Sequence, residues 1–197
     1  DFSFDLYTRT GTENHKEVVQ KLFTLLNNKG YLEEQVSNQP YSEESEMFLS
    51  DRYIEGDCPH CPSRTKGDQC DNCGQDFEPS DLKNLISTID NSKVTFKETN
   101  HIYLKLPKFQ ENLNKWINSK SYWRPAVKNQ SLGFLSNGLI DRAITRDIDW
   151  GVEVPIKNYE KKRIYVWFEA VIGYLSASIE WAKSDKNISN NKNIWKE

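Results

Sequence analysis

Sixteen residues hold every cysteine of this chain. Residues 58–73 read CPHCPSRTKGDQCDNC, two Cys-x-x-Cys hooks with eight residues between them. Hooks of this kind, facing one another, wrap four thiolates around a single ion, and a tetrahedron of sulfur suits Zn²⁺. The ligand set expected is Cys58, Cys61, Cys70 and Cys73, with Gly67 and Gly74 supplying backbone freedom beside the hooks. Rubredoxin-type iron and a pair of disulfides are the competing uses of the same spacing. Four thiolates leave no open coordination position, so the ion expected here is structural and holds a segment too small for its own core. His60, inside the first hook, is the alternative ligand, although a residue between two hook cysteines normally points outward. Thioredoxin-like redox chemistry is set aside, because it uses one Cys-x-x-Cys ahead of a helix.

The rest of the chain sets the frame for that knuckle. Its 197 residues carry a formal net charge of −3, so there is no global basic footprint for nucleic acid. No apolar run reaches the roughly 20 residues of a membrane span, and DFSFDLYTRT at the start has neither the basic nor the apolar block of a secretory signal. A cytoplasmic protein whose cysteines bind metal is the expectation. Twelve per cent aromatic residues, six of them Trp, favour an ordered globular fold.

Periodicity predicts a helix over GTENHKEVVQKLFTLLNNKGY, capped by Thr12 and ended at Gly30, with Val18, Val19, Leu22, Phe23, Leu25 and Leu26 on its apolar face. His15 stands where a capping box would place an acid. Brief strands and turns are expected over 31–57, and the acidic run SEESE at 42–46 reads as a solvated loop. EPSDLKNLIS is expected as a short helical or loop run, and KVTFKETNHIYLKLP as one or two strands. Helices follow after Pro107 and from Pro125. KRIYVWFEA reads as a continuous apolar strand of the kind buried in a parallel sheet, running straight into a helix over AVIGYLSASIEWAKS. DKNISNNKNIWKE is a polar, loose end. One convincing buried strand without neighbours makes the α/β pattern look incomplete.

Five ordered pieces then resemble one family. FLSDRYIEGDCPHC, KGDQCDNCG, FKETNHIYLKL, DRAITRDIDWG and YVWFEAVIGYLSASIEWA, in that order, are similar to methionyl-tRNA synthetase, a class I aminoacyl-tRNA synthetase. The resemblance covers nearly the whole chain and implies an incomplete Rossmann-type catalytic domain interrupted by an inserted connective-peptide domain that carries the zinc knuckle. Residues 1–30 would end the first half of the catalytic domain, 31–125 form the insertion with its knuckle at 58–73, and 126–197 return to the second half. The implied chemistry joins methionine and ATP, with Mg²⁺, into methionyl-adenylate and then passes the methionyl group to tRNA(Met).

Residue by residue, the resemblance places Trp167, Ala170, Val171 and Tyr174 in the methionine pocket, where aromatic surface suits a thioether. It places Arg146 at the catalytic centre, beside the reacting carboxylate. Each has a duller reading: Trp167 and Tyr174 as core, Arg146 as a surface partner of Asp147 or Asp149. Trp123, Trp150 and Trp181 read as core or interface, and His101 as a satisfied strand residue. Where the family most often has Asp-Ala-Pro, this chain has Glu169-Ala170-Val171. Where some members carry a second Cys-x-x-Cys, it has Ser42 and Ser45, so one zinc is expected and not two. The His-Ile-Gly-His and Lys-Met-Ser-Lys-Ser signatures are absent from these 197 residues. The chain is therefore expected to be a monomeric fragment, inactive by itself. The competing reading is a free-standing zinc-ribbon module that binds RNA or protein.

Overall fold

Thr12 starts the first element as its side chain predicts. In the computed structural model, which describes residues 3–67, 69–75, 77 and 79–184, the Thr12 hydroxyl accepts the His15 amide at 3.2 Å and opens helix α1 (Glu13–Asn28). Gly30, at φ 70°, lets the chain turn out of the helix. Val19 and Phe23, one turn apart, are wholly buried. Leu25, expected on the same face, is 48% exposed, since its position rotates it off the stripe.

The chain then forms β1 (Leu32–Ser42), β2 (Met47–Phe48), β3 (Ile54–Asp57), β4 (Arg64–Lys66), β5 (Lys83–Ser87) and β6 (Val94–Leu104). Two helices follow, α2 (Gln110–Ser119) and α3 (Pro125–Ser136). The short strands β7 (Arg142–Ala143), β8 (Thr145–Arg146) and β9 (Arg163–Ile164) precede the last helix, α4 (Val166–Ala182). Three sheets result, ordered β2-β1-β6-β7, β4-β3-β5 and β8-β9.

The architecture is mixed α and β, and the contacts divide it into two units. One unit comprises Asp1–Glu34, Ile102–Thr145 and Trp150–Glu197, and the other Gln35–His101 with Arg146–Asp149. In the first, Val19, Phe23, Ile102, Ile144, Val152, Val154, Tyr159, Ile164 and Ile172 form one core. Phe23 meets Phe168 edge-on at 6.5 Å. In the second, Leu49, Ile54, Phe77, Leu82 and Val94 pack with Cys58 and Cys70. Gly56 is required there: a Cβ at that position would lie 2.7 Å from the Lys83 carbonyl oxygen, where β3 and β5 slip register.

Several expectations change. Residues 32–42 form one long strand, not brief ones, and EPSDLKNLIS has the expected short helical turn only at Pro79–Asp81, its second half being β5. KRIYVWFEA is a strand only at Arg163–Ile164, and the helix begins at Val166. The Ile164 and Tyr165 amides do pair as strand residues, with the carbonyls of Val152 and Ile144 at 2.8 and 2.9 Å. From there the Tyr165 carbonyl takes the amides of Phe168 and Glu169 at 3.0 and 3.1 Å, and the backbone turns helical. A short apolar run does not distinguish a strand from a buried helix by periodicity. Trp150, read as core or interface, is 72% exposed and so not core. Trp116 and Trp123 meet edge-on at 5.2 Å in the α2–α3 hairpin, with the Lys120 ammonium 5.0 Å from the Trp116 ring. His101 is buried on β6, its Nε2 3.1 Å from Asp147. The polar end from 185 onward lies outside the described residues.

The run at 42–46 is not merely solvated. Ser42 is fully buried and, like Ser45, hydrogen-bonds Asp90. The Ser42 and Ser45 hydroxyls donate to Asp90 Oδ2 at 3.1 and 2.5 Å, and the Ser92 hydroxyl donates to Oδ1 at 2.7 Å. Ser42-x-x-Ser45 and Ser87-x-x-Asp90 repeat the hook spacing of the cysteines, yet here hydroxyl donors surround a carboxylate. These donors, Ser45 first and then the Ser92 side chain and amide, hold Asp90 well below the ordinary carboxylate range. A carboxyl group with a depressed folded pKa stabilises above its unfolded pKa, near 4, and loses that contribution as the pH falls. Asp90→Asn is therefore expected to unfold at lower denaturant than the parent at pH 7, with the gap closing below about pH 4. Urea melts of both proteins across pH 3–7 check it, and a gap independent of pH would contradict it.

Candidate metal centre and aromatic helix face

Each hook is shaped by its own backbone before any ion is considered. The Cys58 amide donates to the Ser63 carbonyl at 2.9 Å, and the Cys70 amide to that of Gln75 at 3.0 Å, so both loops close on themselves. Gly67 and Gly74 take φ of 76° and 70°, which β-carbon-bearing residues rarely adopt. The His60 amide points at Cys58 Sγ from 3.3 Å, and the Asn72 side-chain amide at Cys61 Sγ from 3.6 Å. N–H groups aimed at sulfur favour thiolate over thiol.

The four sulfurs converge. All lie within 4.8 Å of one another, with Cys58 to Cys73 at 3.9 Å and Cys61 to Cys70 at 3.7 Å. A disulfide needs about 2.05 Å, so the four are free thiols placed as a ligand set. His60 is exposed and outside that set, as its place within the hook suggests.

The sulfurs differ in acidity. The Ser63 amide and then Asn72 bring Cys61 down to about 6. The Cys73 amide lowers Cys70 as well. At Cys73 the Gln75 amide pulls the same way, but burial and the other three thiols outweigh it and push the group up to about 11. Four neighbouring thiolates repel, so they ionise together only around a cation. The arrangement is fit to hold a metal ion.

A second candidate surface lies on α4. Trp167, Val171 and Tyr174 follow helical spacing and are 72%, 62% and 82% exposed, with Ala170 half-buried among them. The structure thus gathers the four expected pocket residues on one helix face. Trp167 stands on the helix and not on a strand, and Ala170 and Val171 lie within the helix and not in a turn before it. Arg146 is half-buried at the end of β8 and falls with the other unit.

On its other side α4 carries Glu169 and Ser176, which share a partner on α1, His15, to which sequence reasoning gave no functional role. His15, 1% exposed, has Nε2 2.6 Å from Glu169 Oε2 and Nδ1 2.8 Å from Ser176 Oγ. The one local signal was a histidine at the third position after Thr12. Its partners lie more than 150 residues away, at 169 and 176.

Comparison with known proteins adds a family context. The model of the family described as tRNA synthetases class I (M) matches residues 1–197. A methionine–tRNA ligase of Dehalococcoides mccartyi is 51% identical over 183 residues, covering 92% of this chain and 33% of that protein. One from Chloroflexus aggregans is 48% identical over 199 residues, covering 99% and 32%. One from Thermoplasma volcanium is 43% identical over 196 residues, covering 99% and 35%. The chain spans about a third of the length of these relatives. Among solved structures, Mycobacterium tuberculosis methionyl-tRNA synthetase bound by methionyl-adenylate superposes with a TM-score of 0.59. That match is at 22% identity and covers 94% of this chain and 32% of that one, a likeness of fold.

One ion per chain is the expected metal content. Its removal by chelation is expected to speed amide exchange throughout β3, β4 and β5, because two ligands, Cys58 and Cys70, are also core residues. Elemental analysis paired with hydrogen exchange checks both. Two ions, or exchange unmoved by chelation, would contradict this reading.

Proposed function

The chain belongs to the class I (M) tRNA synthetases, and on that footing we propose that it is the central third of a methionine–tRNA ligase. The observation that carries the reading is identity near one half, along almost the whole chain, to relatives that all bear this activity. The full-length protein would join methionine and ATP, with Mg²⁺, into methionyl-adenylate and pyrophosphate. It would then pass the methionyl group to the end of tRNA(Met), in the cytoplasm. Residues 31–125 would be an insertion within a Rossmann-type catalytic domain whose remaining parts lie outside this chain.

Each named residue has a role that its chemistry fits. The exposed face of α4 offers Trp167 and Tyr174 as two aromatic walls, with Ala170 and Val171 between them. A methionine side chain is unbranched and polarisable, and its sulfur gains about 0.3–1.5 kcal/mol against an aromatic ring. Arg146 supplies a fixed guanidinium for the reacting carboxylate. Catalysis in such a reaction rests on alignment and on stabilising developing charge.

Zn²⁺ is the ion we assign to Cys58, Cys61, Cys70 and Cys73. A tetrahedron with metal–sulfur bonds of about 2.3 Å has edges of about 3.8 Å; the Cys58–Cys73 and Cys61–Cys70 sulfur separations are 3.9 and 3.7 Å, and all four sulfurs lie within 4.8 Å of one another. Saturated by sulfur, the ion would hold the insertion in shape and take no part in activation. Neither ATP-gripping signature occurs among these 197 residues, so the chain alone is proposed to be inactive.

Methionine-dependent ATP–pyrophosphate exchange tests the whole reading. It is expected from the full-length protein and not from this chain alone. Tyr174→Ala in the full-length protein is expected to raise the methionine KM roughly tenfold or more while leaving the ATP KM near its original value. No exchange from a folded, zinc-loaded full-length protein would turn the reading toward a binding module.

A further inference from the structure

The ring of His15 grips α4 at two points, and what it holds still is the face opposite. Glu169, Ile172 and Ser176 lie along one side of α4, at helical spacing, turned toward α1. Trp167, Ala170, Val171 and Tyr174 lie along the other. Seven residue steps, about 10.5 Å of helix, separate Glu169 from Ser176, and the one imidazole bonds to both. Two anchors that far apart fix the rotation of α4 about its axis as well as its position along it. One anchor would constrain it less.

Hydrogen-bond arithmetic sets the form of the bridge. An ionised carboxylate only accepts, so the ring nitrogen facing Glu169, Nε2, is the one that carries a proton. The Ser176 hydroxyl has one hydrogen, and both His15 Nδ1 at 2.8 Å and the Gly173 carbonyl at 3.1 Å compete for it. Ser176 is 3% exposed and the Glu169 side chain 13%, so the bridge is shielded from water and stronger for it. Neighbouring contacts act in the same sense. The Asn14 side chain donates to the Ser176 carbonyl at 2.9 Å, and the Thr8 hydroxyl to Glu180 at 2.7 Å.

A Ser–His–Glu grouping invites comparison with nucleophilic catalysis, and the geometry argues against it. A nucleophile must reach substrate, and the Ser176 hydroxyl is enclosed between α1 and α4. The group is built to hold, not to react.

We propose that His15 is a positioning residue for methionine recognition, acting through Glu169 and Ser176 to set the orientation of the aromatic face of α4. This rests on the reading of that face as the methionine wall. It also gives Glu169 a reason to stand where the family more often has aspartate. The Glu169 carboxylate faces His15 at 2.6 Å, and aspartate, one methylene shorter, would end short of that position with the backbone unmoved. A displacement of about 1 Å at a recognition surface is enough to weaken a reaction severely.

The test uses the full-length protein with His15→Leu and Glu169→Gln. His15→Leu removes both hydrogen bonds and is expected to raise the methionine KM roughly tenfold, with kcat changed less than about threefold and the ATP KM unchanged. Glu169→Gln keeps an oxygen acceptor for Nε2–H and is expected to fall between parent and His15→Leu. Nitrogen-15 spectra of the parent are expected to show the His15 ring with its proton on Nε2 and slow to exchange with solvent. Lower thermal stability in both variants with both KM values unmoved would make the bridge merely structural and overturn the proposal. A ring protonated on Nδ1 alone would overturn the bridge itself. Absence of methionine-dependent exchange in the parent would instead overturn the proposed reaction, and the ring spectrum would tell that failure apart from a failure of the bridge.

Discussion

Four cysteine sulfurs lie within 4.8 Å of one another; as thiolates they would repel unless a cation sat among them, and the second unit is arranged around that constraint. Two of the four sulfurs belong to its apolar core, packed with Leu49, Ile54, Phe77 and Leu82. Ligand set and core are thus one structure, and an ion that closes the first also consolidates the second. The backbone prepares this by closing each hook with its own hydrogen bonds and aiming amides at sulfur. The amides aimed at sulfur bring Cys61 down to about 6, while at Cys73 the Gln75 amide is outweighed by burial and the other three thiols, which push it up to about 11.

The Ser42, Ser45, Ser87 and Asp90 group repeats the hook spacing with a different answer to the same geometric need. A carboxylate surrounded by hydroxyls neutralises its charge through donated hydrogen bonds. Such a group depends on pH where a thiolate set depends on a cation. Within one unit, the same loop spacing serves a sulfur cluster fit for a metal ion and a hydrogen-bonded carboxylate.

Helix α4 is the second organising element, because its two sides do different work. Ile172 and Ser176 are buried toward α1 and its partner core, while Trp167 and Tyr174 are held out in the open. Exposed aromatic side chains of that size are costly to leave in water. Their concentration on one face therefore marks a surface suited to being covered, and the proposed methionine wall is one such use of it.

Much of this was legible in the residues alone. Cysteine spacing identified the four sulfurs that converge, the Thr12 cap located α1, and Pro125 opened α3, because these signals are local and act within a short stretch of chain. The resemblance carried by five ordered pieces named the family that the comparisons then found. Tertiary structure decided the rest. It made Val166 onward a helix, since an apolar run does not declare its own period, and it turned the serine-rich loop into a donor shell for Asp90. It also set His15 against Glu169 and Ser176, partners more than 150 residues distant. No local pattern encodes such a meeting, because it is made by packing α1 on α4 and exists only once both helices are in place.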